Sequence, residues 1–413
     1  TFVSTGLLRP TRPMKRRTVW LLGPAFVASI AYVDPGNVAA NLTAGAQYGY
    51  LLVWVLVVAN GMAVLIQFLS AKLGLVTGHS LPELVGARLG RGPRLLYWAQ
   101  AELVAGATDL AEVIGGAVAL HILFGVPLPI GGLIVGLVSM ALLSVQSRHG
   151  QRPFEFVVMG LLAVITLGFG AGLLFSPVDW GGAASGLVPR FEGTQTVLLA
   201  ASMLGATVMP HAIYLHSSLA RDRHGLHTGD SLRRLLRTTR WDVLLSLLVA
   251  GTVNIAMLLL AASSLSGVAG TDSIEGAHAA ISSAMGPAIG LIFGIGLLAS
   301  GLASTSVGCY AGAAIMSGLL KVRIPLLLRR AVTLVPALIL LIVGVDPTWA
   351  LVISQVLLSI GIPFAVIPLV KLTSDRTLMG TSANSLRVRV VAWIVVAAIV
   401  TLNVALLGLT LAG

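Results

Sequence analysis

Along the chain, apolar runs alternate with short polar breaks, and each apolar run extends about 18 residues or more. Runs of that length exceed what a water-soluble core uses and match the ~30 Å of a bilayer crossed as helix. They fall at 19–46, 50–76, 94–123, 129–146, 154–175, 195–220, 242–265, 287–319, 325–344, 348–371 and 389–411, which predicts an all-α polytopic membrane protein with eleven spans. Between them, 83–91 reads as a short interfacial helix, and 266–286 as an outer loop carrying Asp272 and Glu275. The polar breaks carry the charge. With the N-terminus inside, every Lys and Arg except Arg190 falls in an inner segment: Arg9–Arg17, Lys72–Arg94, Arg148 and Arg152, Arg221–Arg240, Lys321–Arg330 and Lys371–Arg389. That is the positive-inside pattern, and an odd number of spans then leaves the C-terminus outside.

Two of the apolar runs are interrupted. In the first, Ala31-Tyr32-Val33-Asp34-Pro35-Gly36-Asn37 places a Pro-Gly pair in mid-span. Proline removes a backbone donor and glycine relaxes the dihedral constraint, so the helix breaks there. Freed backbone groups at bilayer depth must face protein or a polar cavity. A carboxylate at that depth costs roughly 2.5–3.5 kcal/mol, so Asp34 marks a site. The second interruption, Gly205-Ala206-Thr207-Val208-Met209-Pro210-His211, comes five spans later. Five is odd, so the second block of five spans crosses in the opposite sense. Paired broken helices in two inverted halves point to a transporter with a site near the midplane. The expected organisation is a cytoplasmic segment 1–18, a first repeat 19–175, an external loop 176–194, a second repeat 195–371, and an inner loop with the eleventh span over 372–413.

Composition agrees with this class and narrows the partners. The chain is 56% hydrophobic and 10% charged, with a mean hydropathy of +0.95. Its net charge of +11 lies in the inner segments and does not form a nucleic-acid surface. The single cysteine, Cys309, excludes an internal disulfide and a Cys-based metal cluster. The chain begins at Thr1, as if its native start were missing, and the first apolar run is too long for a cleavable signal.

The residues at the breaks define the ligand chemistry. Asp34 and Asn37 offer hard oxygens, and Ala31 and Ala206 stand where each broken helix frees a carbonyl. Met209 is the discriminating member, because a thioether adds little for Mg²⁺ or Ca²⁺ but binds softer divalent ions. The set therefore suits Mn²⁺, Fe²⁺ or a neighbouring transition metal. On the third span, Glu102, Asp109 and Glu112 fall within roughly 80° of one another at about 100° per residue, a carboxylate stripe suited to a proton or cation relay. Arg329 and Arg330, opening the ninth span, are candidate partners for Asp109 and Glu112. His211 follows the second break and could relay protonation, and His216 could line the inner path. Asn60, Gln67, Lys72, Gln100 and Asn254 are assigned to interhelical hydrogen bonds or snorkelling.

Asp34-Pro35-Gly36-Asn37 and Met209-Pro210-His211 resemble the two signature motifs of the Nramp family of proton-coupled divalent metal transporters. Residues 301–318, from Gly301 through Ser304, Gly308 and Gly312 to Gly318, are similar to that family's transport signature, with Leu302 and Ala313 where glutamine is frequent. The resemblance covers essentially the whole chain. It implies the LeuT-type fold, with two inverted five-helix repeats, broken helices 1 and 6 and an eleventh helix. It also implies import of Mn²⁺ or Fe²⁺, with Cd²⁺ and Co²⁺ as further substrates, together with protons. Asp34, Asn37, Met209, Gln355 and the carbonyls of Ala31 and Ala206 are then the metal ligands, with Pro35, Gly36 and Pro210 forming the breaks. Asp34, Asp109, Glu112, His211, His216, Arg329 and Arg330 make the proton route. The resemblance implies no cofactor and no enzymatic activity. The expected protein works as a monomer in a bacterial plasma membrane, with metal ions, protons and lipid as partners. Two rivals share the fold: a sodium-coupled organic-solute symporter would place small residues at both breaks, and a Mg²⁺ transporter would lack the thioether. An intramembrane metalloenzyme would need His-Glu-x-x-His, which is absent from the sequence.

Overall fold

The computed structural model describes residues 23–149, 151–271, 273–322 and 324–412. Arg9 to Arg17, the first four residues of the first span, Asp272 and Arg323 lie outside them, as does the side chain of Arg148. The described chain is nearly all helix. Its elements are α1 (Pro24–Ser29), continued by a 3-10 turn at Ile30–Val33, then α2 (Pro35–Tyr48), α3 (Val53–Thr77), α4 (Leu81–Arg88), α5 (Arg91–Phe124), α6 (Leu128–His149), α7 (Gln151–Leu174) and α8 (Trp180–Ser185). The second half holds α9 (Gly193–Thr207), α10 (Pro210–His224), α11 (Gly229–Ser264), α12 (Ile274–Met285), α13 (Pro287–Leu320), α14 (Leu326–Val343), α15 (Pro347–Ser374), α16 (Arg376–Met379) and α17 (Leu386–Ala412).

Among the described residues, nine helical stretches are long and apolar enough to cross a membrane, α9 and α10 counting as one. Two shorter apolar stretches, Pro24–Val33 and Leu128–Ser144, stand where the first and fourth spans were expected. The surface has the inverse pattern of a soluble protein. Leu174, Ile342 and Val343 are 83%, 70% and 73% exposed, while Asp34, Glu112 and Arg330 are fully buried. Three elements differ from the sequence expectation. α11 begins at Gly229, well before 242, because Arg233 to Arg240 extend the helix beyond its apolar part. The outer loop 266–286 contains α12, started by Ser273 accepting from the Gly276 N–H, and the 176–194 loop contains α8, capped by Asp179. Helices this short leave no long apolar run to read.

α5 and α13 form the most extensive helix pair among the described residues. Glycines permit that closeness: a Cβ on Gly301 would stand 2.9 Å from the Gly116 Cα. Prolines inside α15 free two carbonyls, each met from a neighbouring helix. Pro363 leaves the Ser359 carbonyl, which accepts from Asn403 Nδ2 of α17 at 3.1 Å. Pro368 leaves the Phe364 carbonyl, which accepts from the Tyr97 hydroxyl of α5 at 2.5 Å. α1 is held at its start by Asp242 of α11, whose carboxylate accepts from the amides of Gly23 and Ala25 at 3.1 Å each. On the polar side of the same end, burial pushes the Glu83 carboxyl up, but the Ser80 amide and the Arg221 guanidinium outweigh it and hold the group below its usual range. Asp375 is drawn down to about 2, first by the Thr377 hydroxyl and then by Arg88.

Candidate metal centre

The first break is built from an N-cap. Asp34 leaves the helical region (φ −70°, ψ 168°) and its Oδ1 accepts from the Asn37 amide at 2.8 Å, which starts α2 with Pro35 in its first turn. Three carbonyls of the preceding 3-10 turn are released, and each finds a partner. The Ala31 carbonyl accepts from Asn37 Nδ2 at 3.5 Å, that of Tyr32 from Asn254 Nδ2 at 2.6 Å, and that of Val33 from Ser300 Oγ at 2.5 Å. α11 and α13 thus satisfy backbone that lipid could not.

The second break comes to the same point. α9 ends at Thr207, Met209 takes an extended conformation, and Pro210 opens α10. Asn37 Nδ2 reaches across to the Ala206 carbonyl at 2.9 Å and lies 2.7 Å from Asp34 Oδ1. Three oxygens, two of them backbone, therefore converge on one partly positive nitrogen. Asn37 Oδ1 and Gln355 Oε1 are buried with no hydrogen-bond partner among the described residues. Gln355 Nε2 stands 3.5 Å from Asp34 Oδ2, and its side chain lies over Gly36, where a Cβ would come within 1.8 Å of it. The side chains of Asp34, Asn37, Met209 and Gln355 are all 0% exposed, so the cluster is closed to both sides. Among the described residues, no three His, Cys, Asp or Glu side chains gather as a resident metal cage. The groups gathered here are one carboxylate, two side-chain amides and two backbone carbonyls, with Met209 buried at the second break beside them in the chain.

The acidic face of α5 divides into three environments. Asp109 accepts from Arg330 Nη1 at 2.8 Å, and Arg330 Nε donates to Ser139 Oγ at 2.7 Å. Arg329 pairs with Glu102 at 2.6 Å, so it is not a partner of Asp109 or Glu112 as the sequence suggested. Glu112 is fully buried, and neither of its carboxylate oxygens accepts a hydrogen bond among the described residues. Its place exists because α13 carries glycines. A Cβ on Gly308 would meet Glu112 Oε2 at 2.8 Å, and one on Gly312 would meet Arg329 Nη2 at 2.0 Å. Gly115, one turn along α5, lies directly against the ring of Pro35, which couples this face to the first break.

His211 and His216 are both buried. His211 Nδ1 lies 3.2 Å from Thr108 Oγ1, and His216 Nδ1 lies 2.8 Å from Gln67 Oε1. Gln67 in turn donates to the Tyr32 hydroxyl at 2.5 Å, linking His216 to the turn before the break. The Nε2 atoms of both histidines are unpartnered among the described residues. Sequence reasoning missed Tyr32, Ser300, Thr108 and Ser139 altogether, and treated Gln67 and Asn254 as ordinary interhelical contacts. Polar residues inside otherwise apolar spans were the one available signal, since carbonyls freed at a helix break need donors.

Comparison with known proteins places the chain in a family. The family model described as natural resistance-associated macrophage protein-like, Nramp, matches residues 25–409. The chain is 59% identical over 408 residues to the divalent metal cation transporter MntH of Mycobacterium tuberculosis, covering 98% of this chain and 95% of that one. It is 57% identical over 406 residues to MntH of Mycobacterium leprae, at the same coverage. Among solved structures, the Eremococcus coleocola manganese transporter superposes with a TM-score of 0.85 at 31% identity, covering 95% of this chain and 87% of the other. MhsT in complex with L-phenylalanine shares the fold at a TM-score of 0.62 and 14% identity, covering 95% of this chain and all of its own. With two broken helices meeting at one buried point inside this shared architecture, the chain belongs to the Nramp family, whose members are transporters and not enzymes.

Proposed function

We propose that this protein imports divalent transition-metal ions, Mn²⁺ and Fe²⁺ foremost, together with protons, by alternating access around the two helix breaks. The observation that carries the reading is the convergence of Asp34 Oδ1 and the carbonyls of Ala31 and Ala206 on the Asn37 amide, with an unpartnered Asn37 Oδ1 beside them. Turning that amide over presents Oδ1 where Nδ2 stands and assembles four oxygens around a cation, with Met209 and the Gln355 oxygen completing the shell. The names of the mycobacterial relatives and of the Eremococcus structure support a divalent metal as the substrate. A dication arriving at Asp34 disfavours a proton there. The displaced proton then has Glu112 as acceptor, a carboxylate whose oxygens are otherwise bare.

Purified protein in liposomes, with an inward proton gradient, tests this reading. Mn²⁺, Fe²⁺ and Cd²⁺ should enter and acidify the lumen, Mg²⁺ and Ca²⁺ should not, and Asp34→Asn should stop both fluxes. Uptake of Mg²⁺ or Ca²⁺ as fast as Mn²⁺ would overturn the transition-metal assignment. Mn²⁺ uptake indifferent to the gradient would overturn the coupling.

A further inference from the structure

Away from the metal centre, on the side that carries the basic residues, a crevice of about 710 Å³ opens between α3, α11 and the turn 380–385 that leads into α17. Its length is apolar, walled by Leu65 and Phe68 of α3, Leu244 of α11 and Val388 of α17. Leu244 is 41% exposed on the outer surface of the bundle, so the crevice opens toward lipid. One end differs in character. Lys72 lies there only 9% exposed, its Nζ donating to Asn384 Oδ1 at 2.9 Å. The Arg240 guanidinium stands over the Phe68 ring, 5.0 Å from its centroid.

The charge at this end is unbalanced. Some cations on the same side are paired: Arg88 with Asp375, Arg221 with Glu83, Arg223 with Glu155 and Arg233 with Asp230. Others, such as Arg234 and Arg237, stand exposed to solvent without an ion pair among the described residues, which costs little there. Lys72 and Arg240 form no ion pair among the described residues, and Arg240 is the charge whose field reaches Lys72. Residues 1–22 contain no Asp or Glu that could supply an anion. An ammonium this deeply enclosed is costly without an opposite charge. The missing partner must be anionic at one end and apolar along the rest. A free phosphate would meet the cations but leave the apolar wall bare.

We propose that this crevice binds an anionic phospholipid of the inner leaflet, its phosphate between Lys72 and Arg240 and one acyl chain along Leu65, Phe68 and Leu244. Basic pockets between membrane helices on the inner side have this chemistry. Thr381 and Ser382, on the rim, offer hydroxyls to the headgroup. The lipid bridges α3, α11 and the entrance to α17.

Native mass spectrometry of delipidated protein, titrated with phosphatidylglycerol or phosphatidylcholine of identical chains, tests the site. Phosphatidylglycerol adducts should dominate, and Arg240→Gln should lower that preference about fivefold, the scale of one basic residue facing an anionic lipid. Lys72→Gln with Arg240→Gln should abolish it, while Arg233→Gln with Arg237→Gln, removing two cations outside the crevice, should leave it intact. Because Lys72 is enclosed and its replacement could unfold the protein, the exposed Arg240→Gln decides alone if the double variant does not fold. An unchanged preference in Arg240→Gln, or an equal loss in the Arg233/Arg237 pair, overturns the proposal. Displacement of the lipid by millimolar inorganic phosphate or glycerol phosphate would also overturn it, by assigning the cations to a soluble anion. None of these readouts depends on metal transport.

Discussion

In the proposed centre, Met209 is the residue whose chemistry would separate it from one for hard cations. Asp34, Asn37 and two carbonyls would serve Ca²⁺ or Mg²⁺ as readily as Mn²⁺, since both classes accept oxygen. The thioether supplies the difference, and specificity is a difference of affinities. Met209 is fully buried three residues beyond the Ala206 carbonyl that Asn37 contacts, so truncation alters the centre without opening a surface. Met209→Ala should keep Mn²⁺ uptake in weakened form while Ca²⁺ competes about tenfold better, a change of ~1.4 kcal/mol in the difference. Competition of Ca²⁺ against Mn²⁺ uptake in liposomes measures this. Equal exclusion of Ca²⁺ by variant and parent would reduce Met209 to packing.

Between elements, the packing of α5 against both α13 and α14 gives the acidic face its separate parts. Asp109 is tied to Arg330 and Glu102 to Arg329, while Glu112 is left bare in a slot that Gly308 keeps open. The segment 301–318 thus has a physical role even with Leu302 and Ala313 in it. Its glycines admit the side chains of the opposing helices, and those two positions are not needed for that. Glu112→Gln preserves shape and hydrogen-bonding atoms but cannot change its charge. Metal uptake should therefore continue while proton flux per metal falls roughly tenfold or more. Simultaneous records of Mn²⁺ entry and lumenal pH decide the matter. Equal loss of both would mean one shared path, and an unchanged proton flux would remove Glu112 from the route.

For the whole molecule, the distribution of Lys and Arg predicts the orientation. Gly92 at the start of α5 lies among Arg91 and Arg94, with open space where a Cβ would stand, and Ser185 ends α8 in the loop on the opposite side. In a Cys309→Ser background, Ser185→Cys should react with an impermeant maleimide added to intact cells. Gly92→Cys should react only after lysis. The reverse pattern would invert the topology and with it the direction of transport. The burial of the centre also belongs to this scale, because its groups come from both breaks and from Gln355 of α15. Asp242, holding the amides of Gly23 and Ala25, joins the start of α1 to α11.

The sequence by itself determined the spans, the two breaks, the inverted halves and the residues at each break. These follow from local causes: apolar length, the missing donor of Pro35 and Pro210, and the freedom of Gly36. Asp34 could be singled out because a lone carboxylate in an apolar run is costly wherever the run folds. The extension of α11, the helices α8 and α12 and the partner of Arg329 were not legible there, because the extension is polar, the two helices are too short for a long apolar signature, and pairing depends on packing. Only the tertiary structure decided that Arg330 serves Asp109 while Glu112 goes without, that Asn254 and Ser300 satisfy the carbonyls of the first break, and that Asn37 bridges to Ala206. Asn37 and Ala206 are 169 residues apart in the chain, as Arg330 and Asp109 are 221. Contacts of that span arise from how helices cross, and glycine and proline positions set those crossings only after the bundle has formed.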